Sequence, residues 1–276
     1  SASDLLGFSV SELDDTNGDG FADFAISALG ANTQSGETYI VYGNNDSTRP
    51  PAFDLSTLNG NNGFSISGKS SGDFLFHTNS AGDFNGDGLT DIIVGAQSAD
   101  GNNSNNGEIY VIFGKTSDGN SNFDLSSLNG SNGFSISGVE SNDKIFNHGV
   151  SGDLNGDGLD DLIISHYKNS IDDNANVGST YVIFGTEENV GASLDLNQKP
   201  TPNILEIEGT NANDQLGFQM AVVGDINGDG AADVLVGAKL ADANGIDSGA
   251  AYVILGGAAV TGTNSFATAE GLLSGD

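Results

Sequence analysis

The chain has no cysteine and no tryptophan, one methionine, four prolines and only seven lysines and arginines. Missing thiols exclude disulfides, thiolate metal sites and cysteine nucleophiles. The few cations face 38 aspartates and glutamates, for a formal net charge of −31. No nucleic-acid partner is therefore expected, because that binding rests on cationic groups displacing counterions from phosphates. An anionic membrane surface is disfavoured on the same ground. No apolar run approaches the roughly 18 residues of a membrane span, so no membrane insertion is expected. Ser1 is not followed by a charged n-region and an apolar h-region, so any secretion signal is expected to be absent or already removed.

What is abundant is glycine, 41 residues, together with Asn, Ser and Asp between short clusters of Val, Ile, Leu, Phe and Tyr. Such punctuation predicts short strands joined by tight turns. The clusters recur. Tyr39, Tyr110, Tyr181 and Tyr252 lie 71 residues apart, and Gly36, Gly107, Gly178 and Gly249 keep the same interval, as do Gly43, Gly114, Gly185 and Gly256. Each unit opens with a strand ending in an acidic loop: Gly7–Leu13, Leu75–Ala81, Ile145–Ser151 and Gly217–Val223. A second strand, apolar on both faces, follows at Phe24–Ile26, Ile92–Val94, Leu162–Ile164 and Val234–Val236. The recurring tyrosines open a third, and are expected to pack in the core or between units rather than to line a ligand cage. A fourth alternates at Phe64–Ser67, Phe134–Ser137 and Ile204–Glu208, so one of its sides is expected to face water. The tail from Ser265-Phe266-Ala267 to Leu272-Leu273-Ser274 would supply the outer strand of the last unit.

Units of about 70 residues cannot bury their own faces, which predicts radial stacking. The expected fold is all-β: one domain over 1–276, a β-propeller of four-stranded antiparallel blades in repeats of approximately 1–68, 69–138, 139–209 and 210–276. Four units admit a closed four-bladed ring or part of a larger one. The closed unit is the expectation, since an open arc exposes two apolar faces.

The loops read Asp15-Thr16-Asn17-Gly18-Asp19-Gly20-Phe21-Ala22-Asp23, with counterparts at Asp83, Asn85, Asp87, Leu89 and Asp91, at Asp153, Asn155, Asp157, Leu159 and Asp161, and at Asp225, Asn227, Asp229, Ala231 and Asp233. Hard oxygens at positions 1, 3, 5 and 9, completed by the carbonyl of position 7 (Phe21, Leu89, Leu159, Ala231), suit Ca²⁺ better than Mg²⁺. The sixth-position glycines, Gly20, Gly88, Gly158 and Gly230, would take the left-handed backbone that closes the loop. An EF-hand needs a bidentate Glu at position 12, where this chain has Ile26, Val94, Ile164 and Val236. Three crowded carboxylates raise one another's pKa unless a cation intervenes. One Ca²⁺ per repeat, about four in all, is the expected cofactor.

Around these loops the sequence resembles the FG-GAP repeat, the unit of the integrin α-subunit propeller and of many secreted bacterial proteins. The resemblance rests on Leu6-Gly7-Phe8-Ser9-Val10 before the first loop, Leu216-Gly217-Phe218 before the fourth, and Val94-Gly95-Ala96 and Val236-Gly237-Ala238 after two of them. Leu75 and Ile145 depart from the motif where Gly7 and Gly217 stand, as do Gln97 and Lys239 at its usual proline; the loop positions all match. The resemblance implies calcium sites between the first and second strands of each blade, and roles in adhesion or recognition. It also implies propellers usually of seven blades.

No catalytic constellation is present. His77, His148 and His166 share no repeat position, and neither a Gly-x-Ser-x-Gly elbow nor a His-Glu-x-x-His helix occurs. His166, where other units have alanine, reads as variation in an exposed loop. The expectation is a secreted or cell-surface, non-enzymatic module for adhesion, recognition or scaffolding. The alternative is a glycan-binding domain or the accessory propeller of a larger secreted hydrolase. The expected partner is a protein or glycan, with self-association or further blades also open; the loops 100–106 and 172–176 read as plain solvated loops, with a partner surface as the alternative. The sole arginine, Arg49, precedes proline, so no Arg-Gly-Asp tripeptide exists.

Overall fold

The computed structural model describes residues 3–45, 53–101, 105–138, 146–167, 176–196, 203–209, 211–258, 260 and 272–274, the side chains of 146–148 and 272–274 excepted. It is all-β, and its four sheets are propeller blades. The first blade holds β1 (Leu6–Leu13), β2 (Asp23–Ala28), β3 (Glu37–Val41) and β4 (Gly63–Ser67) in antiparallel order. The second unit contributes β5 (Leu75–Gly82), β6 (Asp91–Ala96), β7 (Glu108–Ile112), the two-residue β8 (Asn122–Phe123) and β9 (Gly133–Ser137). The third has β10 (Phe146–Gly152), β11 (Asp161–His166), β12 (Ser179–Ile183), the short β13 (Ser193–Asp195) and β14 (Ile204–Glu208). The fourth has β15 (Leu216–Gly224), β16 (Asp233–Ala238), β17 (Ala250–Ile254) and β18 (Leu272–Ser274). β18 pairs with β17, so the tail does supply the last blade's outer strand; Ser265-Phe266-Ala267 lie outside the described residues.

The predicted apolar runs all fall within strands. Both faces of the second and third strands are buried in the middle blades, because each blade is sandwiched between two others. Packing runs in series, β1 against β5, β5 against β10 and β10 against β15. Three apolar cores result, one at each junction. Tyr110 and Tyr181 are wholly buried in the first two of these, as core packing requires.

Three expectations need correction. The outer strand β9 is buried along its whole length, including Ser135 and Ser137. Its edge is covered by β13, which pairs with it in parallel. β8 likewise pairs with β4, so the connection before the fourth strand of one unit reaches back to the outer edge of the preceding blade. His166 is not in an exposed loop; it is the last residue of β11, buried and paired opposite Ser179. Among the described residues the four blades also do not meet as the closed unit expected. Apolar side chains on the outward faces of the first and fourth blades stand exposed, among them Val10, Phe8, Val223 and Leu255.

Close approach between blades explains the repeating glycine at Gly36 and Gly178. A Cβ at Gly36 would collide with the Leu75 backbone, and one at Gly178 with that of Leu216.

Candidate metal centre

Each acidic loop bridges the first and second strands of its blade, and the four copies close through one hydrogen-bond pattern. The first-position carboxylate curls the loop by accepting from the sixth-position amide: Gly20 N–H to Asp15 at 2.7 Å, and Gly88, Gly158 and Gly230 to Asp83, Asp153 and Asp225 at 2.9 Å each. Those glycines have φ of 86°, 84°, 94° and 94°, the left-handed region expected of them. The third-position Asn accepts from the fifth amide at 2.9 Å in every loop, at Asn17, Asn85, Asn155 and Asn227. The fifth-position Asp accepts from the seventh amide, at 2.9 Å for Asp19, Asp87 and Asp157 and 3.0 Å for Asp229.

The ninth-position aspartate behaves differently. Asp23, Asp91, Asp161 and Asp233 are the first residues of β2, β6, β11 and β16 and are buried. One oxygen accepts from the amide of loop position 2: Thr16 at 3.0 Å, Phe84 at 3.1 Å, Leu154 and Ile226 at 2.8 Å. The other accepts from the glycine that closes the third strand: Gly43, Gly114 and Gly256 at 2.8 Å, Gly185 at 2.9 Å. That recurrent glycine is visible in the sequence; its partner, 20 or more residues earlier, is not.

The loops are also chained to one another. The carbonyls of loop positions 1 and 2 accept from the next blade: Asp15 and Thr16 from Thr90 and Lys115 at 3.0 Å, Asp83 and Phe84 from Asp160 and Thr186 at 3.1 and 2.9 Å, Asp153 and Leu154 from Ala232 and Gly257 at 2.7 and 2.8 Å. Each of these three loops is thereby tied to the blade junction that follows it.

Among the described residues no three acidic or histidine side chains stand together as a ready metal cluster; the loop carboxylates take the loop amides instead. Two observations nonetheless fit a hard cation. The Asp83 Oδ1 atom is buried without a hydrogen-bond partner, a costly state for a carboxylate oxygen. Burial, with the charges of Asp87 and Asp83, pushes the Asp91 carboxyl up to about 8 against the amides of Gly114 and Phe84. Burial, with Asp157 and Asp153, raises Asp161 to about 7, and burial raises Asp23 as well. A cation in the loop would favour the ionised forms.

The sign of the pH effect follows. Carboxyls raised above their ordinary 3.8 stabilise the metal-free fold while protonated, and that contribution is lost as pH climbs through about 7 to 8. Cation binding needs the ionised groups, so the melting-temperature gain on adding calcium should grow between about pH 5 and pH 8. Paired thermal melts with calcium or chelator measure it; a gain that is flat or shrinks with pH refutes the assignment.

Residues 77–112 and 217–254, each holding an acidic loop and the strands around it, match the FG-GAP repeat family. Two FG-GAP repeats are thus found, in the second and fourth units. Loops 15–23 and 153–161, outside the matched residues, close through the same bonds. The chain is 33% identical over 159 residues to phosphatidylinositol-glycan-specific phospholipase D of Mus musculus, covering 55% of this chain and 17% of that protein. It is 34% identical over 107 residues to integrin alpha-PS5 of Drosophila melanogaster, covering 39% of this chain and 9% of that one. The matched stretch is thus a small part of either relative. Among the described residues no helix is long and apolar enough to cross a membrane. Residues 102–104 and 172–175 of the loops 100–106 and 172–176 lie outside the described residues, as do Arg49 and the His148 side chain.

Proposed function

We infer that this FG-GAP chain is an extracellular calcium-binding module, non-enzymatic, serving adhesion, recognition or surface scaffolding. The observation that carries the reading is the fourfold loop with its three carboxylates, in which one buried oxygen, Asp83 Oδ1, lacks a partner. In each loop the side chains at positions 1, 3, 5 and 9 and the carbonyl at position 7 would hold the ion, which supplies positive charge that offsets the crowded carboxylates. The first-position carboxylate fixes the loop's curl, and the ninth ties it to the end of the third strand. Through the chained carbonyls the same loops set the spacing between blades.

Extracellular placement agrees with the chemistry. The fifth-position carboxylates Asp19, Asp87, Asp157 and Asp229 are exposed, and no bidentate glutamate closes the loop. Such sites suit the weak range of about 10⁻⁴ to 10⁻³ M typical of extracellular modules. Equilibrium dialysis should find about four calcium ions per chain at saturation in that range; a chain that takes up none refutes the reading. Beads coated with the chain and presented to immobilised glycans and matrix proteins, with and without calcium, test recognition.

A second reading, the accessory propeller of a larger secreted hydrolase, is favoured by the similarity to the phospholipase D, of which the chain covers 17%. Hydrolase activity in the full-length gene product, retained when the fifth-position aspartates are replaced by alanine, would select it.

A further inference from the structure

The second acidic loop is held differently from the other three. In the first, third and fourth loops the Oδ1 atom of the first-position aspartate accepts from the amides of positions 4 and 5. These are Gly18 and Asp19 at 2.7 and 3.0 Å, Gly156 and Asp157 at 2.7 and 3.1 Å, and Gly228 and Asp229 at 2.6 and 3.1 Å. In the second loop the same atom, Asp83 Oδ1, is buried and accepts from neither. An ion entering the other loops displaces hydrogen bonds from that oxygen. At Asp83 it meets an oxygen that has none to lose, and it relieves the cost of leaving a buried acceptor unpaired.

What fixes Asp83 comes instead from the next blade. Asp160, at position 8 of the third loop, donates its amide to the Asp83 carbonyl at 3.1 Å and accepts the Asp83 amide on its own Oδ2 at 2.9 Å. The backbone of the first-position residue is thus bracketed on both sides by one residue. Gly82 leaves the room for it, since a Cβ there would collide with the Asp160 carboxylate. At position 8 the other loops carry Ala22, Thr90 and Ala232, none with a carboxylate. Glu187 of the third blade adds a further negative charge: its Cγ lies 3.1 Å from where a Cβ on Gly86 would stand. Thr116 and Ala258 take the equivalent places beside the first and third loops. Charge count and rigidity are what tune the calcium affinity of an oxygen-lined loop, and at the second loop both are raised from outside.

We propose that the second loop is the tightest calcium site of the four, and that Asp160 is the positioning residue that makes it so. The proposal rests on the calcium reading of the loops and adds a rank order to it. Asp160 is not itself a ligand. It sits between two ligand positions of its own loop, the Leu159 carbonyl and Asp161, and presents Asp83 to the neighbouring ion.

Calorimetric titration of the chelator-stripped chain with calcium in physiological salt tests this. One ion should bind about tenfold more tightly than the remaining ones, the scale on which outer-shell partners act. Asp87→Ala, which removes a ligand of the second loop itself, should abolish the tight step, and Asp229→Ala in the fourth loop should leave it. Asp160→Ala should weaken the tight step about tenfold or more while total uptake stays the same. Asp160→Asn keeps an oxygen for the Asp83 amide and should recover part of that loss. If Asp160→Ala does not fold, as circular dichroism will show, Asp160→Asn alone should still weaken the tight step and leave the others unmoved. Steps of equal affinity in the parent, a tight step that survives Asp87→Ala, or an Asp160→Asn variant as weak as Asp160→Ala each overturn the proposal while leaving the calcium reading in place. A parent chain that takes up no calcium overturns both.

Discussion

Excess chelator should lower the melting temperature by about 12–24 °C relative to calcium at tenfold its dissociation constant. At that saturation each site contributes about 1.4 kcal/mol by mass action, and four independent sites about 6 kcal/mol. For chains of this size 1 kcal/mol shifts the midpoint by about 2–4 °C. The effect should be global rather than local, because each loop is hydrogen-bonded to the next blade through the carbonyls of its first two residues. The transition should therefore move as one unit, detected equally by circular dichroism and by tyrosine fluorescence, with Tyr110 and Tyr181 buried in the junctions. An unchanged midpoint would remove calcium from the account and leave the loops as turns held by their own amides. A shift in one probe alone would mean that the loops are not coupled to the junctions.

Much of this fold could be read from residues. The interval of 71 between tyrosines fixed the unit, and the apolar runs at Ile92–Val94 and Leu162–Ile164 located strands buried on both faces. Local pattern succeeds there because the strands are long enough to show it and both lie in the same environment in the two middle blades. It fails where a partner is distant. β8 is two residues long, and its pairing with β4 belongs to another unit. The only trace is the shared Phe-Asp-Leu-Ser at Phe53 and Phe123, whose aspartates Asp54 and Asp124 cap the turns that follow. Ser135 and Ser137 looked water-facing because alternation speaks for a strand's own faces and is silent about what covers its edge. His166 was misplaced for a related reason: a substitution of alanine looks like loop variation until β11 is seen to continue through it. Repetition likewise specifies how each blade meets its neighbour, and leaves open how many blades close a ring.

In the metal site the ligand spacing was legible, while the second task of the ninth aspartate was not, and that task separates two substitutions. Asp91→Ala should destabilise the chain by about 3 kcal/mol or more in calcium and in chelator alike. The Asp91 side chain is wholly buried, and its removal leaves the amides of Gly114 and Phe84 without acceptors. Each stranded buried donor costs about 1–3 kcal/mol, and the end of β7 is no longer tied to the loop. Asp87→Ala removes a carboxylate of the same loop, but an exposed one whose partners, the Leu89 amide and the Asn85 side chain, can turn to water. Its cost in chelator should stay within about 0.5–1 kcal/mol, as surface substitutions do, and should grow in calcium by the contribution of the lost site. Asp91→Asn falls between, because the amide keeps one acceptor for the two donors. Denaturant unfolding of the three variants in both buffers gives the comparison directly. If Asp91→Ala is harmless in chelator, the ninth aspartate is a ligand only and the bracket to the third strand carries no stability. If Asp87→Ala costs the same in both buffers, the fifth aspartate holds the loop rather than an ion.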